Sequence, residues 1–525
     1  MIRFLAPLLA VLLAGAAMVV CATVSWWWLF LAVPLIALAV VGGYDLLQRR
    51  HSILRNYPLF GHLRFMLEAL RPEIQQYFIE RNIDGRPFDR DVRSLVYERA
   101  KGDNQEKAFG TELDVYAIGQ EFLAHSMQPA RQPPEQHRVT VGGAQCRHPY
   151  QMSLLNVSAM SFGALSPNAI LALNEGARRG GFAHDTGEGG ISPYHLRPGG
   201  DLVWEIGSGY FGCRTADGGF DEEQFADKAS RPQVKCVSIK LSQGAKPGIG
   251  GVMPAAKMSP EIAEARGVPA HQKCVSPAAH SAFTGPTGLL EFVARLRDRT
   301  GKPTGFKLCV GRPSDFLAVC KAMHTTGIRP DFIIVDGSEG GTGAAPLEFE
   351  DHMGMPLTDG LTLVHNALVG CDLRDDIRIG ASGKIASGAD IVKRLIQGAD
   401  YTNAARAMMM AVGCIQAQRC HTNTCPVGVT TQDPKRYRAL VVADKAERVH
   451  QFQRETIRSA NQLIAALGAH GTDELSLRSL VRRTDDQTLT RFDEIHHHLK
   501  PGQLLAEVPS WWRPHWDDAS PDRFR

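Results

Sequence analysis

The chain is short of net charge: its 525 residues set 58 Lys and Arg against 55 Asp and Glu. That balance leaves no electrostatic footprint for nucleic acid, which calls for a basic patch or stripe. A disulfide framework is missing too, because the eleven cysteines are odd in number and scattered, as suits a reducing compartment. No GxGxxG stands between a strand and a helix, which argues against a built-in nicotinamide site. Charge is absent altogether from Leu5 to Val24 and again from Ser25 to Tyr44. Glycine (51) and proline (30) are plentiful enough for many tight backbone approaches without the composition of a disordered chain.

The two uncharged stretches are long enough for two membrane spans of about 20 residues each. The indoles of Trp26, Trp27 and Trp28 fall between them, where they suit a membrane interface. Arg3 precedes the first span and Arg49, Arg50 and Arg55 follow the second, so the positive-inside rule puts both ends in the cytoplasm. This predicts a two-span protein of the inner (cytoplasmic) membrane with a cytoplasmic body. A cleaved signal peptide ending near Ala14–Met18 is the competing reading, and it would place the body outside.

The expected organisation is a transmembrane helical hairpin over 1–48, a helical connector or collar over 49–150, a barrel over 151–435 and a C-terminal helical extension over 436–525. In the connector, 57–69 reads as a helix, Pro72 starts a second one and 92–100 a third. Beyond 151, apolar runs at 153–157, 234–241, 305–310, 331–336, 377–380 and 400–403 alternate with helical patterns at 314–325, 360–369 and 388–397. Repeated strand then helix means a parallel sheet with right-handed crossovers, and at this length an α/β fold closed into a (β/α)8 TIM barrel. The tail from 436 to about 483 reads as helical, His496–His498 as a polar surface turn, and Trp511, Trp512 and Trp516 as contacts to bilayer or core.

Two groups of residues carry chemistry. Glycine-rich loops at 336–343 and 380–384 and the AsnAlaAlaArg loop at 403–406 each follow a predicted strand, where barrels bind phosphate, and Lys384 or Arg406 supplies a cation. Cys414, Cys420 and Cys425 are separated by five and four intervening residues, and the last is followed at once by Pro426. Three thiolates so spaced suggest a three-iron cluster. Zinc, which wants four ligands, and three buried cysteines packing as small hydrophobes are the alternatives.

The phrase CHTNTCPVGVTTQ from Cys420 to Gln432 resembles the cluster-binding segment of the glutamate synthase large subunit. SAMSFG (158–163), GEGG (187–190), QGAKP (243–247) and GGTGA (340–344) match that family upstream in the same order. The resemblance runs from about Ser153 to about Pro434 and covers the flavin and iron-sulfur synthase domain. It implies FMN, with its phosphate among Gly340, Gly341, Thr342, Gly343, Gly383, Lys384, Ala405 and Arg406. The backbone of Ala159, Met160 and Ser161 would run beside the flavin ring, with Lys307 near its pyrimidine end. It further implies a 3Fe-4S cluster on Cys414, Cys420 and Cys425, and 2-oxoglutarate aminated through an imine. Lys240, Lys246 and Lys257 are then the cations for the dicarboxylate, and Glu188 orients the imine or the ammonia donor.

There are departures as well. Residues 1–50 stand where the full synthases carry a glutaminase domain, so nitrogen is expected from ammonia, a partner or another amine, and electrons from an external donor such as ferredoxin or a membrane carrier. Ile249 and Ser382 replace residues that are commonly acidic in the family. The expected function is reductive amination of a 2-oxo acid. The alternatives are flavin chemistry on a different amine or oxo acid, and a non-catalytic membrane protein for electron transfer or redox sensing.

Overall fold

The computed structural model describes residues 2–103, 105–133 and 137–525, the side chains of Ile2 and Arg3 excepted. The chain divides into two compact units, Met1–Asp91 and Val92–Arg525.

In the first unit, helices Ile2–Thr23 and Leu29–Leu47 pack against each other across a short turn at Trp26–Trp28. Gly42 permits the contact, since a Cβ there would come within 3.1 Å of Pro7 Cβ. Leu8, Leu12, Val19, Phe30, Val33 and Val40 point outward and are exposed. Phe4–Thr23 and Trp26–Leu47 are each long and apolar enough to cross a membrane. The expected helix over 57–69 begins only at Gly61, because Leu59 takes a left-handed turn at φ 66°. Pro72 starts no new helix. It sits inside Gly61–Ile74, and the rod continues through a wider π-turn at Gln75–Ile79. Proline has no N–H for the i to i−4 ladder, and a π-turn is one way a helix absorbs such a break.

The second unit is built on a closed barrel of eight parallel strands: β1 Leu155–Val157, β2 His184–Asp185, β3 Leu202–Ile206, β4 Val234–Lys240, β5 Thr304–Leu308, β6 Phe332–Asp336, β7 Arg378–Ser382 and β8 Tyr401–Ala404. Each strand pairs with its sequence neighbour, and β8 closes on β1 through Ala404 and Val157. The sequence pattern marks six of the eight. β2 is too short to show a period, and β3 is buried at all five positions, Glu205 included, so it does not alternate. An antiparallel hairpin, Arg138–Val141 with Tyr150–Ser153, closes the N-terminal end. Its Val141 and Met152 join Val203, Cys236, Phe332, Ile334 and Tyr401 in one buried cluster. With that end plugged, the C-terminal mouth is left for chemistry.

The tail differs from the expected run of helix. Helix Val442–Ala466 packs on helix Pro167–Gly180, but Leu480–Arg483 is a strand between Glu121–Leu123 and Leu489–Arg491. A strand from before the barrel thus pairs with one from after it, a long-range pairing that local helix propensity does not register. Of the tail's aromatic residues, Trp512 is buried, and the Trp516 ring lies 4.4 Å from Lys321 Nζ.

Candidate active site

The strand register sets the site. Lys240 on β4 stands beside Lys307 on β5, and Glu205 on β3 beside Ser238 on β4, all at the C-terminal mouth. Two ammonium groups on neighbouring strands repel unless carboxylates intervene, and each has one. Lys240 Nζ donates to Glu188 Oε1 at 2.8 Å and to Gln243 Oε1 at 2.9 Å. Lys307, 5% exposed, is ion-paired to Glu205, 1% exposed.

The charges follow from this pairing. Burial opposes the charge of Glu188, but the Lys240 ammonium, with Arg266 and Lys307 behind it, outweighs burial and holds the carboxyl down at about 2. Burial likewise opposes the Lys307 charge, yet Glu205, Asp185 and Asp336 keep its proton on well above the ordinary lysine range. Asp185 goes the other way. Burial first, and then the Glu205 charge, raise it far above the ordinary carboxylate range, while its Oδ1 accepts from Gly187 N at 2.9 Å.

The two glycine loops and the loop after β8 form one rim because β6, β7 and β8 are adjacent. Gly337 N donates to Ser382 O at 2.8 Å, Ser158 N donates to Ala404 O at 3.0 Å, and the Ser158 and Ser382 hydroxyls are 3.3 Å apart. Arg406 donates to Glu339 O, and a Cβ on Gly341 would come within 2.8 Å of Arg406 Nε, so a side chain there would have to displace the guanidinium. Lys384, at φ 50°, is exposed at the same rim. Gly187, at φ +63°, approaches Ala159–Ser161 so closely that a Cβ would lie 2.7 Å from Ser161 N. All the residues expected around the flavin therefore lie at one end of the barrel. A rim of glycines without side chains, with Arg406 against it, fits a phosphate monoester.

The three lysines expected to meet substrate part company. Lys240 stays at the barrel mouth, paired with Glu188. Lys246 Nζ donates to Ala344 O at 2.8 Å and so braces the glycine loop. Lys257, 3% exposed, donates to Ala164 O at 3.0 Å and to Cys420 O at 3.2 Å, which turns it toward the cysteine loop. Arg266, absent from the sequence-based candidates, ends the short helix Pro260–Arg266 and is 4% exposed. Its Nη2 is 3.4 Å from Ser161 Oγ, its guanidinium lies 4.9 Å from the Phe211 ring centre, and its buried Nε has no partner. A buried guanidinium N–H left unpaired invites an anion. One arginine at the end of a seven-residue helix offers no periodic signal from which to find it.

The cysteine loop lies alongside. Cys420 and Cys425 both act on Cys414, whose thiol burial pushes up to about 12. At Cys425 burial acts upward as well, but the nearby polar groups of Thr430 and the Val427 and Val429 amides outweigh it and bring its pKa below the ordinary value. Gln416, Gln418 and Asn423 hold φ between 53° and 63°, a left-handed winding that non-glycine residues rarely adopt. Strain of this kind costs on the order of 1 kcal/mol per residue and gathers at functional loops. Tyr97 Oη donates to Cys414 O at 2.8 Å, and Gln432 Nε2 to Gly163 O at 3.1 Å and Leu165 O at 2.9 Å. Among the described residues no three His, Cys, Asp or Glu side chains converge on a single ion. A three-iron cluster gives each thiolate its own iron, so its ligands stand apart, and three neighbouring thiols with amides aimed at sulfur fit that donor set.

Fold and site together define a (β/α)8 barrel with its buried charge pairs and glycine loops gathered at the C-terminal mouth. Residues 117–470 match the family model described as the conserved region in glutamate synthase. The glutamate synthase large subunit-like protein YerD of Bacillus subtilis is 35% identical over 511 residues, covering 89% of this chain and 97% of its own. The archaeal glutamate synthase [NADPH] of Methanocaldococcus jannaschii is 34% identical over 322 residues, 61% of this chain and 60% of its own. The glutamate synthase [NADPH] large chain of Azospirillum brasilense is 33% identical over 333 residues, which is 62% of this chain but 20% of that larger protein. The chain belongs to the glutamate synthase family and is an oxidoreductase of that type.

Proposed function

We propose that the chain is a membrane-anchored flavoenzyme that reductively aminates a 2-oxo acid, 2-oxoglutarate being the first candidate. Electrons come from an external donor such as ferredoxin or a membrane carrier, and nitrogen from ammonia or an amine. FMN would be held by Ala159, Met160, Ser161, Lys307, the glycine rim, Lys384 and Arg406, and a 3Fe-4S cluster by Cys414, Cys420 and Cys425. When bound, the flavin supplies hydride to an imine carbon and the cluster supplies single electrons.

The chain's own groups do the rest. Arg266, through its unpaired Nε–H, takes a substrate carboxylate, and Lys240, with one N–H beyond its two bonds, takes the other. Glu188 stays ionised at neutral pH, so it accepts from the N–H groups of an ammonia donor and orients it. Lys307, ion-paired to the buried Glu205 with Asp185 and Asp336 near it, keeps its proton and presents positive charge toward the flavin pyrimidine.

The observation that carries this reading is the bonding of residues 158–165. They are tied at one end to the glycine rim through Ser158, and at the other to the cysteine loop through Gln432 and Lys257. One segment thus joins the two candidate cofactor sites, as short-range electron transfer requires. The membrane part of the reading rests on the exposed apolar faces of the two N-terminal helices and on the arginines that follow them.

The test is anaerobic reduction of the purified protein, then rapid mixing with 2-oxoglutarate and ammonia while flavin absorbance and glutamate are recorded. Rapid reoxidation with matching glutamate is the expected result. A flavin that stays reduced in a protein with its full iron content rules out 2-oxoglutarate amination. For topology, a reporter fused after Arg525 is expected to be active on the cytoplasmic side, and periplasmic activity overturns the hairpin.

A further inference from the structure

Beyond the second apolar helix and the short helix Ser52–Asn56 lies a longer helix with three differently furnished faces. It runs from Gly61 to Ile74 and on through Gln75–Ile79. At about 100° per residue, Gly61, His62 and Phe65 share one face, Leu63, Met66, Leu67, Leu70 and Ile74 a second, and Arg64, Glu68, Arg71 and Gln75 a third.

The first face is committed to the end of the second apolar helix. Asp45, fully buried two residues before that helix ends at Leu47, accepts from Leu59 N at 3.0 Å and pairs with His62 Nε2 at 2.9 Å. Gly61 lies on Leu54, where a Cβ would come within 2.8 Å of Leu54 Cδ2, and the Phe65 ring meets His51 at 5.5 Å. These bonds hold the start of the amphipathic helix level with the end of the apolar one.

The second face has no such cover. Leu63, Met66, Leu67, Leu70 and Ile74 are 39 to 52% exposed, and Tyr77, Phe78 and Ile79 extend the exposed apolar surface. A helix on a soluble body normally buries such a stripe. The charges beside it are cationic: between Gln48 and Ile74 the chain carries Arg49, Arg50, Arg55, Arg64 and Arg71 against Glu68 and Glu73. An apolar stripe with Arg64 and Arg71 along one edge and Glu73 on the other, preceded by Arg49, Arg50 and Arg55 and fixed at the height where a span leaves the hydrocarbon, matches the boundary between headgroups and acyl chains of an anionic leaflet.

We propose that Gly61–Ile79 lies in the plane of an anionic membrane surface, tethered to the second span through Asp45. This rests on the membrane reading above, and the experiment separates the two. The full chain is placed in vesicles of phosphatidylglycerol and phosphatidylcholine with p-benzoylphenylalanine substituted singly at Leu67, Leu70 or Phe78, at Glu68 or Gln75 on the polar face, and at Leu8 or Val33 in the spans. After irradiation, lipid adducts are expected at Leu67, Leu70 and Phe78 as strongly as at Leu8 and Val33, with little at Glu68 and Gln75. Lipid adducts at Leu8 and Val33, with adducts to protein, to a second copy or to nothing at Leu67, Leu70 and Phe78, overturn the surface helix and leave the spans standing. If Leu8 and Val33 also fail to reach lipid, the membrane reading falls and the surface helix with it. Asp45→Asn is expected to lower lipid adducts at Leu67 while those at Leu8 persist, and unchanged labelling at Leu67 overturns the tether.

Discussion

At the scale of single residues the site is governed by which buried charge has which partner. Removing one member of a buried pair leaves the other uncompensated, at a cost on the order of 3 kcal/mol. Glu188→Gln strands the Lys240 ammonium in this way, and we expect a loss of that order in denaturant unfolding, together with loss of amination. The pH dependence has a definite sign. The folded state holds Glu188 at about 2 against an ordinary 4.5, so below 4.5 the unfolded chain takes up the proton first. The stabilisation is complete above pH 4.5 and falls away as pH drops toward 2. Glu188→Gln should flatten the stability profile across that window and leave the slope above it unchanged.

The same reasoning applies to Lys307 and Glu205, with flavin as the reporter. Lys307→Met alone leaves Glu205 buried and unpaired, and it should destabilise strongly. The double variant Lys307→Met/Glu205→Met should recover most of the stability, because apolar replacement of a buried pair is often neutral. It should not recover the flavin midpoint potential, which is expected to fall without the ammonium, as redox titration of the bound flavin would register.

At the scale of elements, loops succeed or fail by the space at particular glycines. Gly187 combines φ +63° with a Cβ position 2.7 Å from Ser161 N, whereas nothing lies within 4 Å of a Cβ at Gly343. Gly187→Ala should therefore push the Ala159–Ser161 segment out of line, costing about 1 to 3 kcal/mol and most of the bound FMN. Gly343→Ala should fold as the parent does, and flavin content per protein separates the two variants. In the cysteine loop, Cys420→Ala should remove iron and sulfide together while FMN remains. Full iron content in that variant would sink the cluster assignment. Tyr97→Phe, which removes the bond to Cys414 O, should cost about 1 kcal/mol and leave the iron in place.

At the scale of the whole molecule, the division at Asp91 predicts separability. Val92–Arg525 holds the complete barrel, its N-terminal plug and the strand exchange between Glu121–Leu123 and Leu480–Arg483. A chain begun at Val92 should remain soluble and bind flavin, by gel filtration and absorbance. Ending it before Leu480 should expose the partner strand and lower stability, because both edges of that strand are paired.

The sequence by itself determined the alternation of strand and helix, the glycine loops at strand ends, the spacing of Cys414, Cys420 and Cys425, and two apolar segments of spanning length. These are local properties, read from neighbours a few residues apart. Tertiary structure alone decided the rest. β2 and β3 close the barrel although one is too short and the other too buried to show a period. Lys240, Lys246 and Lys257 look alike in the sequence, but one pairs with Glu188, one braces the glycine loop and one turns to the cysteines. Arg266 and Glu205 acquire meaning only when the chain brings them beside Ser161 and Lys307. The physical reason is common to all of these. The partner of a buried charge is chosen by barrel register and loop closure across tens to hundreds of residues, and no local period encodes it.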